Sequence, residues 1–180
     1  MRLLTRALSL ITVAGAPLLA QTAAAPVPLQ EFTVPWGREG RPRDPAVAPD
    51  GAVFFVGQAG QAPTGNYIAR LDPKTGEFKK YELDPGTNPH NCIVDAKGIV
   101  WYSGNRNGTI GKLDPKTGQI TRYPMPDSTV RDPHTMIFDQ KGNIWFTAQG
   151  SNAVGHLDVK TGKVRTVKMP LPEGRRSTNP

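Results

Sequence analysis

The chain has 180 residues, enough for one domain with a real hydrophobic core, and carries 22 Lys and Arg against 15 Asp and Glu, a net charge of +7. The basic residues are scattered, many of them in turns such as Pro73-Lys74-Thr75-Gly76, and no basic block is interleaved with aromatics. This excludes nucleic acid as an expected partner and indicates a solvated basic surface.

Residues 1–25 read as a secretory signal peptide. Two arginines lie within Met1 to Arg6, an apolar run follows from Ala7 to Ala20, and the small residues Thr22-Ala23-Ala24-Ala25 close the segment. The run is too short to span a bilayer comfortably, and nothing later resembles a membrane span. The mature protein is therefore expected in the periplasm or outside the cell, with the fold in residues 26–180.

Next comes Gln30-Glu31-Phe32-Thr33-Val34-Pro35, which resembles the last strand of the units after it and is predicted to be an N-terminal closing strand. Three repeats then occupy about 41–86, 87–131 and 132–176. The second contains "NPHNCIVDAKGIVWYSGNRNGTIGKLDPKTGQITRYPMP", residues 88–126, and the third "DPHTMIFDQKGNIWFTAQGSNAVGHLDVKTGKVRTVKMP", residues 132–170. Pro89, Gly98, Trp101, Gly111 and Gly118 map onto Pro133, Gly142, Trp145, Gly155 and Gly162, always with a shift of 44. The first repeat is looser. Read from Asp44-Pro45, its Gly51, Phe54 and Phe55 match Gly98, Trp101 and Tyr102, its first strand is shorter, and an insertion lies near Gln58 to Gly65.

Each repeat reads as four short strands, in the third about 134–139, 143–149, 152–158 and 163–169. Gly142 and Gly162 stand in turns, where positive φ suits glycine, and the segments between are rich in β-branched and aromatic residues. No stretch after residue 25 shows a helical apolar period. Four strands per unit of this length indicate an all-β protein, a β-propeller of four-stranded blades. A propeller ring needs about four to eight blades. Three blades and a closing strand suggest the front part of a longer protein, with the missing blades supplied by the rest of the chain or by self-association. The final Ser177-Thr178-Asn179-Pro180 resembles Thr87-Asn88-Pro89, the start of a further unit.

The repeat sorts the candidate functional residues. His156 occupies the position of Lys112 and Arg70, so it is expected on the surface of a third strand, not as a ligand. Trp101 and Trp145 recur with Phe54 and are expected to pack between blades. Cys92, the one cysteine, can make no internal disulfide and sits in a strand-like run, as a small core residue would. His90 and His134 each follow the proline that opens a unit.

The unit from Pro133-His134-Thr135-Met136 through Asn143-Ile144-Trp145-Phe146-Thr147, followed by "VGHLDVKTGKVRTVKMP", resembles the virginiamycin B lyase (streptogramin B lyase) family, and the likeness covers about residues 30–180. The resemblance implies a seven-bladed propeller and a carbon–oxygen lyase that opens a cyclic depsipeptide by elimination at its ester, using Mg²⁺ and a histidine base. The family's catalytic blade carries an acidic residue two before that histidine and a glutamate just after Trp-Phe-Thr. Asp132 and His134 match the first two, which implies His134 as catalytic base and Asp132 and His134 as metal-side residues. The glutamate position is Ala148 here, and Gly104 in the preceding unit, which has Asn88 and His90. Neither unit holds the full set. The alternative is a non-catalytic propeller of the cell envelope that binds a small-molecule, peptide-like or protein partner in its channel. Leu-Asp-Pro-Lys-Thr-Gly also resembles a turn of quinoprotein blades, but Gln119-Ile120-Thr121-Arg122 follow it without the expected tryptophan.

Overall fold

The computed structural model describes residues 28–37, 40–59 and 64–171. The chain divides into two units, Met1–Glu31 and Phe32–Pro180. The expected signal peptide and Ser177–Pro180 lie outside the described residues, as does the middle of the expected insertion.

Twelve strands, all of them in the second unit, and no helix are found among the described residues. The first sheet holds β1 (Arg41–Val47), β2 (Val53–Gln58), β3 (Tyr67–Leu71) and β4 (Phe78–Glu82). The second holds β5 (Pro89–Val94), β6 (Val100–Gly104), β7 (Thr109–Leu113) and β8 (Ile120–Pro124). The third holds β9 (Pro133–Phe138), β10 (Ile144–Ala148), β11 (Ala153–Asp158) and β12 (Lys163–Lys168). Each is an antiparallel meander in chain order, the form of a propeller blade. Strand ends are set by turn chemistry. Asp95 Oδ1 accepts from the backbone N–H of Lys97 and Ile99 at 2.8 and 3.1 Å, and Gly98 takes φ +80° between them, a conformation that costs glycine little.

The blades are held face to face by two apolar cores. Phe54 and Val56 of the first blade pack with Cys92, Val100, Tyr102 and Leu113 of the second. One blade on, Trp101 and Ile110 pack with Met136, Ile144, Phe146 and Leu157 of the third. Phe54 and Trp101 thus do the same job, each 2% exposed or less, as the repeat predicts. Trp145 holds the equivalent position in the third blade but is 43% exposed, because no described residue covers that face. His156 lies across from it on β11, its ring 4.8 Å from the Trp145 ring, just as Lys112 lies over Trp101. Cys92 is buried in the first core, with its thiol pushed up to about 12 by desolvation.

Within a blade, close strand approach depends on glycine. A Cβ on Gly111 would stand 1.9 Å from the Tyr102 ring, and one on Gly155 would stand 2.0 Å from Phe146. The aromatic of the second strand lies directly over the glycine opposite it on the third.

Among the described residues, 30–35 pair into no sheet. The strand expected to close the ring has its partner in a blade beyond these three, and here Val34 and Trp36 pack on Phe55, Tyr67 and Phe78. One expectation needs correction: the first strand of the first blade is not shorter. β1 has seven residues, β5 and β9 six each.

Candidate functional site

The inner strands of the three blades begin alike. Pro42 pairs with Gly57, Pro89 with Gly104, and Pro133 with Ala148. Just beyond each proline the ladder is irregular, with register shifts between Arg43 and Ala46, between Pro89 and Cys92, and between Phe146 and Ala148. Such bulges free side chains from strict alternation. Side-chain hydroxyls take over part of the ladder there: Asn91 N–H donates to Ser103 Oγ at 3.1 Å, and Thr135 N–H to Thr147 Oγ1 at 3.3 Å.

This pairing revises the alignment of the first repeat. Phe54 and Phe55 match Trp101 and Tyr102 with a shift of 47, and the same shift puts Pro42, not Pro45, with Pro89. Arg43, His90 and His134 are therefore equivalent rim residues. So are Gln58, Asn105 and Gln149 at the ends of the second strands. Sequence reading missed Arg43 because the Asp44-Pro45 dipeptide mimics Asn88-Pro89; the aromatic pair was the signal that could have found it.

The His90 and His134 rings lie together, centroids 3.5 Å apart and planes tilted by 36°. His90 is 8% exposed, and burial pushes its imidazole down to about 4, with the charges of His134, Arg43 and Arg41 adding to the effect against Asp44. His134 is half-buried and is also held below its ordinary value, first by burial and then by Arg43, against the pull of Asp44 and Asp132. Both rings are uncharged at neutral pH. The 3.5 Å approach of His90 Nδ1 to Asp44 Oδ2 is accordingly no ion pair. His134 Nδ1 lies 3.1 Å from Thr135 Oγ1. Asn91 joins the inner strands, accepting from Met136 N–H at 3.0 Å and reaching Asp44 Oδ2 at 3.5 Å.

Asp132 and His134 border one open cleft of about 510 Å³, with Asn105, Arg106, Arg131 and Gln149. The Asp132 carboxylate is committed within that cleft. Its oxygens accept from the backbone N–H of Gly150, and from the N–H and hydroxyl of Ser151, so it holds the β10–β11 loop. Mg²⁺ demands several hard oxygen ligands in near-octahedral order. Among the described residues no group of three or more His, Cys, Asp and Glu side chains could hold a metal. With Asp132 engaged and Asp44 turned to His90 and Asn91, the described donor set does not fit Mg²⁺.

The two positions where the resemblance places a glutamate are closed. Ala148 is 1% exposed, and a Cβ on Gly104 would lie 2.1 Å from Asn107 Oδ1.

The sequence profile of the virginiamycin B lyase family matches residues 23–176, most of the chain. The chain belongs to the virginiamycin B lyase family. Among solved structures it is similar to a streptogramin B lyase, at 24% identity and a TM-score of 0.68, over 81% of this chain and 46% of that one. A catalytically inactive histidine-to-alanine variant of virginiamycin B lyase from Staphylococcus aureus, solved with quinupristin, gives 24% identity and 0.69 over 81% and 47%. Hydrazine synthase of Kuenenia stuttgartiensis gives 16% identity and 0.61 over 79% and 40%. At these identities the likeness establishes the fold. The chain spans less than half the length of the lyase structures it matches. A comparison with curated protein sequences finds no match.

Proposed function

We propose that this is an exported, periplasmic or secreted member of the family whose blade rim holds a cyclic, peptide-like ester, and that His134 is the proton acceptor in its opening by elimination. The observation that carries this is the state of His134: half-buried at a cleft, backed by His90, and uncharged at neutral pH. A neutral imidazole can take a proton; an imidazolium cannot. In the proposed step the C–H bond α to a carbonyl breaks and its proton goes to His134. The Cα–Cβ double bond forms, the Cβ–O bond breaks, and its electron pair leaves with the carboxylate. No water is consumed. The Arg43 charge, felt at both histidines, favours the negative charge that develops.

A second reading is a binding propeller without catalysis. It is favoured by the commitment of Asp132 to its loop and by the closed positions at Gly104 and Ala148. Incubating the full chain with quinupristin, followed by mass spectrometry, separates the two. Elimination gives a ring-opened product of unchanged mass and altered retention, lost in His134→Ala. Hydrolysis, seen as the added mass of one water, would overturn the proposal. Saturable binding without turnover would establish the second reading.

A further inference from the structure

Arg41 and Arg43 stand on β1, either side of its first proline. Both guanidiniums donate to one atom, Gln58 Oε1, from Arg41 Nη2 at 2.7 Å and from Arg43 Nη1 at 2.8 Å. The amide is itself fixed: Gln58 is 6% exposed and ends β2. Two positive charges thus converge on a neutral oxygen, and each guanidinium has further N–H donors to offer. Neither has a carboxylate partner among the described residues. The carboxylate nearest in sequence, Asp44, is turned to His90 and Asn91. Beside this pair, His90 Nδ1 is buried without a hydrogen-bond partner. Arg43 also occupies, in the first blade, the rim position of His90 and His134.

We propose that the start of β1 is a seat for a carboxylate, gripped by Arg41 and Arg43, with His90 and His134 close by as reporters. Guanidinium suits this ligand because its planar fork matches two carboxylate oxygens, which a point charge does not. Gln58 Oε1 brings the two forks together at one fixed point on the sheet. The inference goes beyond the elimination reading and stands without it, since a carboxylate can be seated whether or not His134 removes a proton.

The test is a titration of the full chain with sodium acetate at pH 7 and constant ionic strength, read by the imidazole ring C–H signals in NMR, with sodium chloride as the control titrant. Acetate is expected to move the His90 and His134 signals saturably and chloride is not. Arg43→Gln is expected to weaken acetate by about tenfold or more, and Arg41→Gln to weaken it as well. Arg165→Gln removes the same charge from an exposed site on β12 and is expected to change nothing. If Arg43→Gln fails to fold, Arg41→Gln decides alone, because that side chain is exposed. An unsaturable response, or equal weakening by Arg165→Gln, would overturn the seat. Acetate binding retained in a protein that leaves quinupristin unopened would sink the elimination reading and leave the seat intact.

Discussion

The ring of His90 lies 3.5 Å from that of His134, on the inner strands of adjacent blades. Each ring helps to desolvate the other, and a proton on one disfavours a proton on the other. The pair is therefore a coupled unit, and a change at the half-buried partner is felt by the buried one. His134→Ala should raise the midpoint at which His90 titrates from its value near 4, since it removes both a repelling charge and part of the burial. An NMR titration of the His90 ring reads this directly, and an unmoved midpoint would show that the rings do not interact.

Stability should fall on mild acidification. The unfolded chain protonates His90 below about 6.5, whereas the folded chain protonates it only near 4. Across that window the unfolded state binds the extra proton, so lowering the pH favours unfolding, by on the order of 1–3 kcal/mol in total. The loss levels off below the folded value. A second decline occurs at lower pH from turn carboxylates held below their usual 3.8, among them Asp114 through the Lys116 N–H and Asp158 through the Thr161 N–H. These stabilise the fold above 3.8 and cease to do so as the pH drops through their folded values. Urea midpoints measured from pH 7 to 3 should show both stages, and His90→Asn should shrink the first to the part that His134, also held below its ordinary value, contributes.

Asp132→Asn should act on the loop it holds. Losing the carboxylate that takes the Gly150 and Ser151 donors should cost about 1–3 kcal/mol. Thermal melts should show the loss equally with and without added Mg²⁺. A melting point that Mg²⁺ raises in the parent protein and not in the variant would make Asp132 a metal ligand after all.

Gly111→Ala and Trp101→Ala test the two kinds of packing. The first drives a Cβ into the Tyr102 ring, and forced repacking of this sort costs about 1–3 kcal/mol. The second empties the contact between the second and third blades, at about 3–5 kcal/mol. Gly118→Ala, where a Cβ meets nothing and only φ +78° resists, should cost less than either. Chemical denaturation of the three variants gives the order.

The fold was legible in the sequence because blade packing repeats with it. Trp101 and Trp145, Gly111 and Gly155, and Gly98 and Gly142 recur at one spacing because each blade solves the same packing problem. The third repeat's strands fall within about a residue of those expected. His134 was legible too, as a rim residue after a proline. The Arg43 position was missed because Asp44-Pro45 mimics Asn88-Pro89, although Pro42 stands as far before Phe54 as Pro89 does before Trp101. Nor was the engagement of Asp132 visible. Whether a carboxylate faces a cleft or caps a loop depends on the path of Gly150 and Ser151, eighteen and nineteen residues away.

The prolines at 42, 89 and 133 have one more effect. Each lacks an N–H, and each faces a residue with little or no side chain, Gly57, Gly104 or Ala148. The framework thus makes few demands on the residue after the proline, and three blades have there an arginine and two histidines on an unchanged scaffold. Chemistry at the rim can be rewritten one blade at a time, by single substitutions that leave the interblade cores alone. That separation lets the residue after the proline differ from blade to blade while the packing beneath it stays the same.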